Sequence, residues 1–132
     1  MRIVIVGVGR VGARLATLLH AAHDVTLLDI SDAAFGRLPH DFHGQTVRGN
    51  GIDIDTLKAA DSGRADVFIA VTNGDNRNIM AAQVAKQVLN VPKVIARVYD
   101  PVRAEIFAEM GLDIISPTVN GAHRLYAQIV GE

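Results

Sequence analysis

A glycine-rich turn between an apolar run and a helical pattern constrains the fold of this chain more than any other feature. The run from Arg2 to Val6 is β-branched and apolar at nearly every position, which predicts a strand buried on both faces. The stretch Gly7-Val8-Gly9-Arg10-Val11-Gly12 follows it directly and matches the pattern G-x-G-x-x-G. In that context the three glycines predict a tight turn, close approach of the backbone to a pyrophosphate, and close packing of helix on sheet. The unpaired N–H groups at the start of the helix predict an anion site.

Strand-like and helix-like segments alternate along the rest of the chain. The apolar residues that indicate the first helix by their spacing are Val11, Leu15, Leu18, Leu19 and Ala22. Two later helices are predicted to begin at Asp100-Pro101 and Ser116-Pro117, where a capping residue precedes proline. Strands are predicted at residues 2–6, 25–28, 45–48, 66–71, 93–98 and 112–115. The alternation predicts an α/β protein with a Rossmann-like, doubly wound sheet of six mainly parallel strands and helices on both faces.

The composition limits the size and the chemistry of this fold. With 132 residues, of which 49% are hydrophobic, the chain fits one domain over residues 1–132. Thirteen Lys and Arg residues face fourteen Asp and Glu residues, so there is no net positive field to hold nucleic acid, and we expect no nucleic-acid partner. The sequence has no cysteine, which excludes disulfides, thiolate metal sites and cysteine nucleophiles. No apolar stretch approaches the roughly 20 residues that span a bilayer.

Asp29 lies at the end of the predicted second strand, where a carboxylate accepts hydrogen bonds from ribose hydroxyls. The residues just after it are Ile30 and Ser31, with no arginine beside them. A 2′-phosphate would therefore meet a negative charge without a neighbouring cation. We expect Asp29 and Ile30 to face the ribose of an NAD-type or adenosine ligand rather than that of an NADP-type ligand. The alternative is that Asp29 only caps a turn.

Two more loops are expected at the same crevice, because ligands of doubly wound sheets bind beyond the carboxyl ends of the strands. Asn50-Gly51-Ile52 follows the third strand and would edge the adenine, and Thr72-Asn73 follows the fourth and would face the rest of the ligand. Turn formation alone also explains Asn and Gly at these positions.

The positive charge of Arg10 at the start of its helix is unfavourable, because it opposes the helix dipole. The charge becomes favourable if phosphates bind there. Otherwise Arg10 is a solvated surface arginine.

No catalytic constellation accompanies this pattern. Tyr99 and Tyr126 lack a lysine four residues on, and no serine, histidine or aspartate relay stands out. His40 and His43 flank Asp41 with a spacing that could hold a metal, but no third ligand is evident, and an exposed polar loop explains them. We therefore predict no catalytic residue, no metal site and no enzymatic activity. A module of this kind can turn ligand binding into a change of shape.

Four stretches carry a resemblance to a known family and run through nearly the whole chain. They are IVGVGRVGARLA, RGNGIDIDTLKAA, VTNGDNRNIMAAQVAK and VIARVYDPVRAEIFAEMGLDIISPT. The specific features are the arginine inside the glycine loop, the T-N-x-D-x-x-N run that begins at Thr72, and an Ala-Arg pair followed by Asp-Pro. Together they resemble the RCK (regulator of potassium conductance) N-terminal domain, the nucleotide-binding regulatory domain of the Trk/Ktr type.

The resemblance implies a nucleotide-sensing regulator of a membrane potassium channel or transporter, placed in the cytoplasm at the inner face of the membrane. Similar domains bind NAD(H), ATP or ADP, and NAD(H) is the ligand that we expect first. They form homodimers and often octameric rings. The final helix, at about residues 117–130 with Tyr126 and Ile129, resembles the crossover helix that docks on a partner protomer. The alternative function is the cofactor-binding half of an NAD-dependent oxidoreductase, because the glycine pattern is widely shared.

The family's contacts are carried over by position in the sequence. The expected cofactor-binding residues are Gly7, Val8, Gly9, Arg10, Val11, Gly12, Asp29, Ile30, Asn50, Gly51, Ile52, Thr72, Asn73 and Arg97. In similar domains the arginine of the glycine loop reaches a nucleotide on the neighbouring subunit, which gives Arg10 a reason for its position. Position 50 is Asn, whereas the family usually has Asp there. The ligand preference of this chain is therefore expected to differ from that of the family.

Overall fold

One six-stranded sheet organises residues 1–131, which are the residues that the computed structural model describes. Its strands are β1 (Arg2–Val6), β2 (Asp24–Asp29), β3 (Gln45–Arg48), β4 (Val67–Ala70), β5 (Lys93–Arg97) and β6 (Asp113–Ile115). They lie in the order β3-β2-β1-β4-β5-β6, and each neighbouring pair is parallel. This architecture confirms the predicted Rossmann-like, doubly wound α/β fold.

Helices and short helical turns connect the strands. The helices are α1 (Arg10–Leu19), α2 (Ile54–Ala59), α3 (Asp75–Gln83, continued by the π-helical turn Val84–Val88), α4 (Pro101–Glu109) and α5 (Pro117–Ile129), and 3-10 turns lie at Asp32–Arg37 and Ser62–Arg64. Asp100 caps α4 as predicted, since its carboxylate accepts the N–H of Arg103 at 3.3 Å. Ser116 makes no such side-chain bond at α5. No helix within residues 1–131 has both the length and the apolar character that a membrane span requires.

Two apolar layers cover the two faces of the sheet, and β1 contributes to both. Val4 packs into one layer with Phe68 of β4, and Ile5 packs into the other with Ala16 of α1. All four side chains are buried. The strand is therefore buried on both faces, as its unbroken apolar run predicts.

The buried face of α1 only partly matches the one that the apolar spacing suggests, since Leu15 and Leu19 pack against the apolar layer. Val11 and Leu18 are 43% and 64% exposed, whereas Gly12, Ala13 and Ala16 are the buried residues of this helix. A Cβ on residue 12 would overlap the carbonyl oxygen of Gly7. The helix backbone therefore lies so close to the sheet that small residues fill the contact, and larger apolar residues are left at its flanks.

The crossover direction reverses beside β1. Strands β2 and β3 lie on one side of β1, and β4, β5 and β6 lie on the other. The chain segments that leave β1 and β4 therefore diverge at the carboxyl end of the sheet. In doubly wound folds this switch point opens a crevice between the loops, and it is where ligands bind.

Candidate nucleotide-binding site

A crevice of about 920 Å³ lies at this switch point. Its volume falls in the range of roughly 300–1,000 Å³ that is usual for small-molecule sites. The predicted contact residues that line it are Gly7, Val8, Gly9, Arg10, Val11, Asp29, Ile30, Asn50, Gly51, Thr72, Asn73 and Arg97. Gly12 and Ile52, which the sequence also predicts as contacts, do not line it.

Packing requires glycine at two positions of the loop after β1 but not at the third. Gly7 has a φ of +105°, and a Cβ there would lie 2.8 Å from backbone atoms of Val71 and Thr72. Gly12 lies behind the crevice, where the missing Cβ lets α1 approach the sheet. Gly9 has an ordinary φ of −84° and no protein atom within 4 Å of the position of a Cβ. The absent side chain of Gly9 therefore leaves open space at the start of α1.

The N-terminus of α1 faces that open space without a capping side chain. Gly9 is its N-cap, and its first turn carries no acidic residue. The first backbone hydrogen bond of the helix runs from the N–H of Ala13 to the carbonyl of Gly9, so the N–H groups of residues 10–12 have no partner inside the helix. Free N–H groups and the positive end of the helix dipole together attract an anion. Arg10, the first residue of α1, also lines the crevice and carries a positive charge.

Asp29 ties the end of β2 to the glycine loop. Its Oδ2 accepts the N–H of Val8 at 2.8 Å, and its Oδ1 accepts the N–H of Ser31 at 2.9 Å. Each carboxylate oxygen still has acceptor capacity, so hydroxyl groups of a ribose can bind as well. The Val8 N–H, in contrast, is already engaged and is not one of the free donors of the loop. Asp29 does act in a turn, through Ser31, but its other bond shapes the crevice wall.

The loop after β3 brings Asn50 and Gly51 to the crevice and turns Ile52 away from it. The Oδ1 of Asn50 accepts the N–H of Ile52 at 3.1 Å, which forms an Asx turn. A Cβ on residue 51 would overlap the side chain of Val6, so the loop lies directly on β1. The Ile52 side chain is half-buried and packs against the apolar layer. Ile52 thus supports the loop from behind.

A buried amide, Asn78 of α3, holds the loop after β4. Its Oδ1 accepts the N–H of Thr72 at 2.8 Å and the hydroxyl of Thr72 at 2.6 Å. Its Nδ2 donates to the carbonyls of Thr72 and Arg97, both at 2.9 Å. Arg97 Nη2 in turn donates to the carbonyls of Val71 and Thr72, both at 3.0 Å. Asn78 is not among the predicted site residues, although it is the last residue of the T-N-x-D-x-x-N run that could have revealed it.

Asp75 connects the same loop to the start of α4. Its carboxylate is 11% exposed and accepts the N–H of Tyr99 at 2.8 Å and the N–H of Asp100 at 2.9 Å. Arg103 of α4 lies 3.9 Å from the same carboxylate. The start of α3 is therefore bonded at one residue, Asn78, to the crevice wall at Thr72 and at another, Asp75, to the segment that opens α4.

Four arginines and one aspartate line the crevice. The charged residues are Arg10, Arg37, Arg77, Arg97 and Asp29. Arg37 and Arg77 are not predicted from the sequence, because no motif marks them. The guanidinium carbon of Arg97 lies 4.9 Å from the ring centroid of Tyr99, and its buried Nε has no hydrogen-bond partner within residues 1–131. The excess of positive charge favours an anionic ligand.

His43, one of the two loop histidines, packs on His20 at the C-terminus of α1. Across residues 1–131, no group of three or more His, Asp and Glu side chains is placed to hold a metal ion. The ring of His43 lies 4.7 Å from that of His20 between centroids, and its Nδ1 lies 3.3 Å from the carbonyl of Asp41. His20 is only 6% exposed. Its ring therefore packs beneath this loop, against Phe42 and His43.

The sequence model of the TrkA-N domain matches residues 3–117. The chain is 44% identical, over 117 residues, to the Trk system potassium uptake protein TrkA of Streptomyces coelicolor, covering 88% of this chain and 52% of that protein. It is 40% identical, over 119 residues, to the Trk system potassium uptake protein TrkA homolog of Methanothermobacter thermautotrophicus, covering 89% of this chain and 55% of that protein. The chain thus spans about half the length of these curated relatives.

Solved structures share the fold over most of the chain. The TrkA-N domain of the inner membrane protein ybaL from Escherichia coli superposes with a TM-score of 0.83 at 19% identity, over 96% of this chain and 95% of that one. The GsuK channel bound to NAD superposes with a TM-score of 0.77 at 25% identity, over 96% of this chain and 22% of that one. GsuK bound to ADP gives the same TM-score and identity over 33% of its chain.

Proposed function

This chain belongs to the TrkA-N domain family, and we propose that it is a nucleotide-sensing regulatory domain that controls a membrane potassium channel or transporter. Its relatives are named Trk system potassium uptake proteins, which supports a role in potassium transport. The observation that carries the sensing role is the crevice itself. The open space at Gly9, the uncapped start of α1 and the carboxylate of Asp29 lie together on one wall of it.

The proposed ligand is an adenine nucleotide, with NAD(H) first and ATP or ADP next. Its phosphates would bind at the N–H groups that begin α1, since nothing else in the helix satisfies them. Its adenosine ribose would bind Asp29, and the adenine would lie by Asn50 and Gly51. Thr72, Asn73 and Arg97 would face the distal part. Structures of the GsuK channel with NAD and of GsuK with ADP support this ligand class, at 25% identity.

The hydrogen-bond network after β4 offers a route from ligand to shape change. A ligand that contacts the loop at Thr72 contacts a residue bonded to Asn78 and Arg97. Asp75, three residues further on, is bonded to the segment that opens α4. A ligand shifts such an equilibrium by as much as its affinity differs between the two arrangements. We propose that occupancy of the crevice biases the position of α4 and of α5 after it.

The proposed partner surface begins with α5, as a crossover helix of this single domain. No residue of α5 is fully buried, and Leu125, Tyr126 and Ile129 are 62%, 62% and 81% exposed. Contiguous exposed apolar side chains of this size mark interaction surfaces. We propose that they dock on a second copy, so that the domain works as a homodimer or within an octameric ring. In this arrangement the domain lies in the cytoplasm, at the inner face of the membrane, and Arg10 reaches toward the nucleotide of the neighbouring copy.

The alternative function, the cofactor-binding half of an NAD-dependent oxidoreductase, has less support. It shares the glycine loop, and that loop does not separate the two functions. The relatives that cover most of this chain are named for potassium uptake and not for a redox reaction. We therefore propose a regulator without enzymatic activity.

Potassium uptake in living cells tests the proposed function. The codon for Asp29 is changed to Ala in the organism's own gene, and a second strain carries Asp113→Asn as the control. Asp113 is an exposed residue of β6 that pairs with Lys93 at 3.8 Å and lies outside the crevice. We expect the Asp29→Ala strain to take up potassium at an altered rate and the control strain to match wild type. Unaltered uptake in both strains, together with full expression of the variant, would exclude a regulatory role for the crevice.

A further inference from the structure

Arg37 is hydrogen-bonded to the glycine loop at Val8, the residue that Asp29 also binds. It is the last residue of the 3-10 turn that follows β2, and its Nη1 donates to the carbonyl of Val8 at 3.2 Å. The N–H of the same Val8 is bonded to Asp29. Both polar backbone groups of Val8 are therefore bound by side chains that belong to β2 and the turn after it. Arg37 is eight positions beyond Asp29 in the sequence, yet the turn returns it to the same wall of the crevice.

Most of the hydrogen-bonding capacity of Arg37 is unused. A guanidinium has five N–H donors, and one of them is taken by Val8. Within residues 1–131 Arg37 makes no ion pair, because Asp32, the acidic residue at the start of its turn, lies 3.5 Å from Arg48 instead. Arg37 lines the crevice and is bonded to Val8, as is Asp29, so the guanidinium lies near the proposed ribose contact. An exposed, fork-shaped cation at that place matches the geometry of a phosphate group.

The charge of this wall differs from what the sequence suggests. Read along the chain, Asp29 is followed by no cation, which argues against a phosphate on the ribose. In the structure, Asp29 and Arg37 both line the crevice and are both bonded to Val8, so their formal charges of −1 and +1 offset each other there. The two hydrogen bonds that Asp29 accepts also delocalise its negative charge. A phosphate on the ribose would therefore meet no net negative charge here, and Arg37 would offer it free N–H donors.

We infer that Arg37 is the contact for an additional phosphate on the adenosine ribose, so that the crevice takes 2′-phosphorylated adenine ligands as well as their unphosphorylated counterparts. This inference rests on the proposed function, because it assumes that an adenine nucleotide occupies the crevice. It extends that function by naming Arg37 as the residue that sets the choice between the two ligand classes. The bond to Val8 keeps the guanidinium in place before the ligand arrives, which limits the entropy lost on binding.

Calorimetric titration with ligands that differ by one phosphate tests the inference. The pairs are AMP with adenosine 2′,5′-bisphosphate, and NADH with NADPH. We expect the wild-type chain to bind the 2′-phosphorylated member of each pair at least as tightly as the other. Arg37→Gln should weaken the 2′-phosphorylated member by about tenfold or more, the effect of one charge-assisted hydrogen bond, and leave the other member within about threefold. Arg37→Lys keeps the charge but loses the planar guanidinium. Its affinity for the 2′-phosphorylated member should lie between those of wild type and Arg37→Gln.

A charge-matched control and the remaining outcomes separate this inference from the proposed function. Arg64→Gln removes one exposed arginine at the amino ends of the strands, near Asp61 and outside the crevice, and should change no affinity. If Arg37→Gln weakens both members of a pair equally, Arg37 acts only by holding Val8, and the inference is wrong. If wild type binds AMP and NADH but excludes their 2′-phosphorylated partners, the inference fails while the proposed function stands. If no adenine ligand binds to wild type, both fail.

Discussion

The carboxylate of Asp29 accepts the backbone N–H of Val8 at 2.8 Å, and this bond joins the proposed ribose contact to the glycine loop. The residue that would bind the sugar also fixes the loop whose next residues would bind the phosphates. We therefore expect a ligand that binds Asp29 to favour the loop geometry that its own phosphates would need. A ribose contact and a phosphate contact that were not joined by such a bond would not strengthen each other in this way.

Asp29→Ala should weaken every adenosine ligand by about 10- to 100-fold, because hydrogen bonds to a charged group contribute about 1.5–3 kcal/mol. It should also lower the free energy of unfolding by about 1–2 kcal/mol, since the N–H groups of Val8 and Ser31 lose their acceptor. Calorimetry and urea denaturation measure the two effects. The exposed Asp113→Asn should change neither. Unchanged affinity for Asp29→Ala would show that the ribose binds elsewhere.

The glycines of the loop should separate stability from binding. Gly9→Ala places its Cβ in open space, so the free energy of unfolding should change by at most about 1 kcal/mol, the usual effect at an N-cap. Its affinity for NADH should fall by about tenfold or more, because the methyl group takes space that the phosphates need. Gly12→Ala should instead destabilise the fold by about 3 kcal/mol or more through its overlap with the Gly7 carbonyl. Equal NADH affinity of Gly9→Ala and wild type would mean that no ligand approaches this backbone.

Asn78→Ala should lower the free energy of unfolding by about 3 kcal/mol or more, because it leaves groups of Thr72 and the carbonyl of Arg97 without their partner in a buried place. Asn76→Ala, an exposed position on the same helix, should change it by about 0.5 kcal/mol or less. Urea denaturation of the two variants and wild type measures both. Similar small effects at the two positions would mean that the loop after β4 does not depend on this amide.

The exposed face of α5 should hold two copies together. At ~100 μM, a concentration that detects weak interfaces, wild type should sediment as a dimer or a larger assembly. Ile129→Asp should produce monomers, since a charge would enter an apolar contact, while Asn120→Asp adds the same charge to another side of the helix and should leave the assembly intact. Analytical ultracentrifugation distinguishes the species. A monomeric wild type at this concentration would refute docking through α5.

The parts of the site that follow from a local sequence motif could be predicted. The parts that depend on how a later segment folds back over the strand ends could not. Gly7 and Asp29 stand at fixed places relative to β1 and β2, so the motif alone positions them. Arg37 reaches the crevice only because the 3-10 turn folds back over the strand ends, and no sequence spacing reports that return. The residues next to Asp29 in the sequence include no cation, but Arg37 is bonded to the same Val8 and lines the same crevice.

Hydropathy located the helices better than it located their buried faces. The spacing that includes Val11 and Leu18 identifies α1 correctly, yet these two residues are exposed and Ala13 and Ala16 are buried. Apolar character measures the free energy of transfer from water, while close approach of a helix to a sheet selects small residues. Ile52 shows the same limit in a loop, since its neighbour Asn50 faces the crevice and Ile52 itself packs on the core.

Isothermal titration of the wild-type chain with NADH, and with ADP as the second ligand, tests the central claim most directly. If the loop after β1 and the carboxylate of Asp29 form a nucleotide site, NADH should bind with a Kd below about 1 mM, and Asp29→Ala should raise that Kd by about 10- to 100-fold. Absence of binding by NADH, NAD, ADP and ATP to a folded wild-type chain would contradict the account.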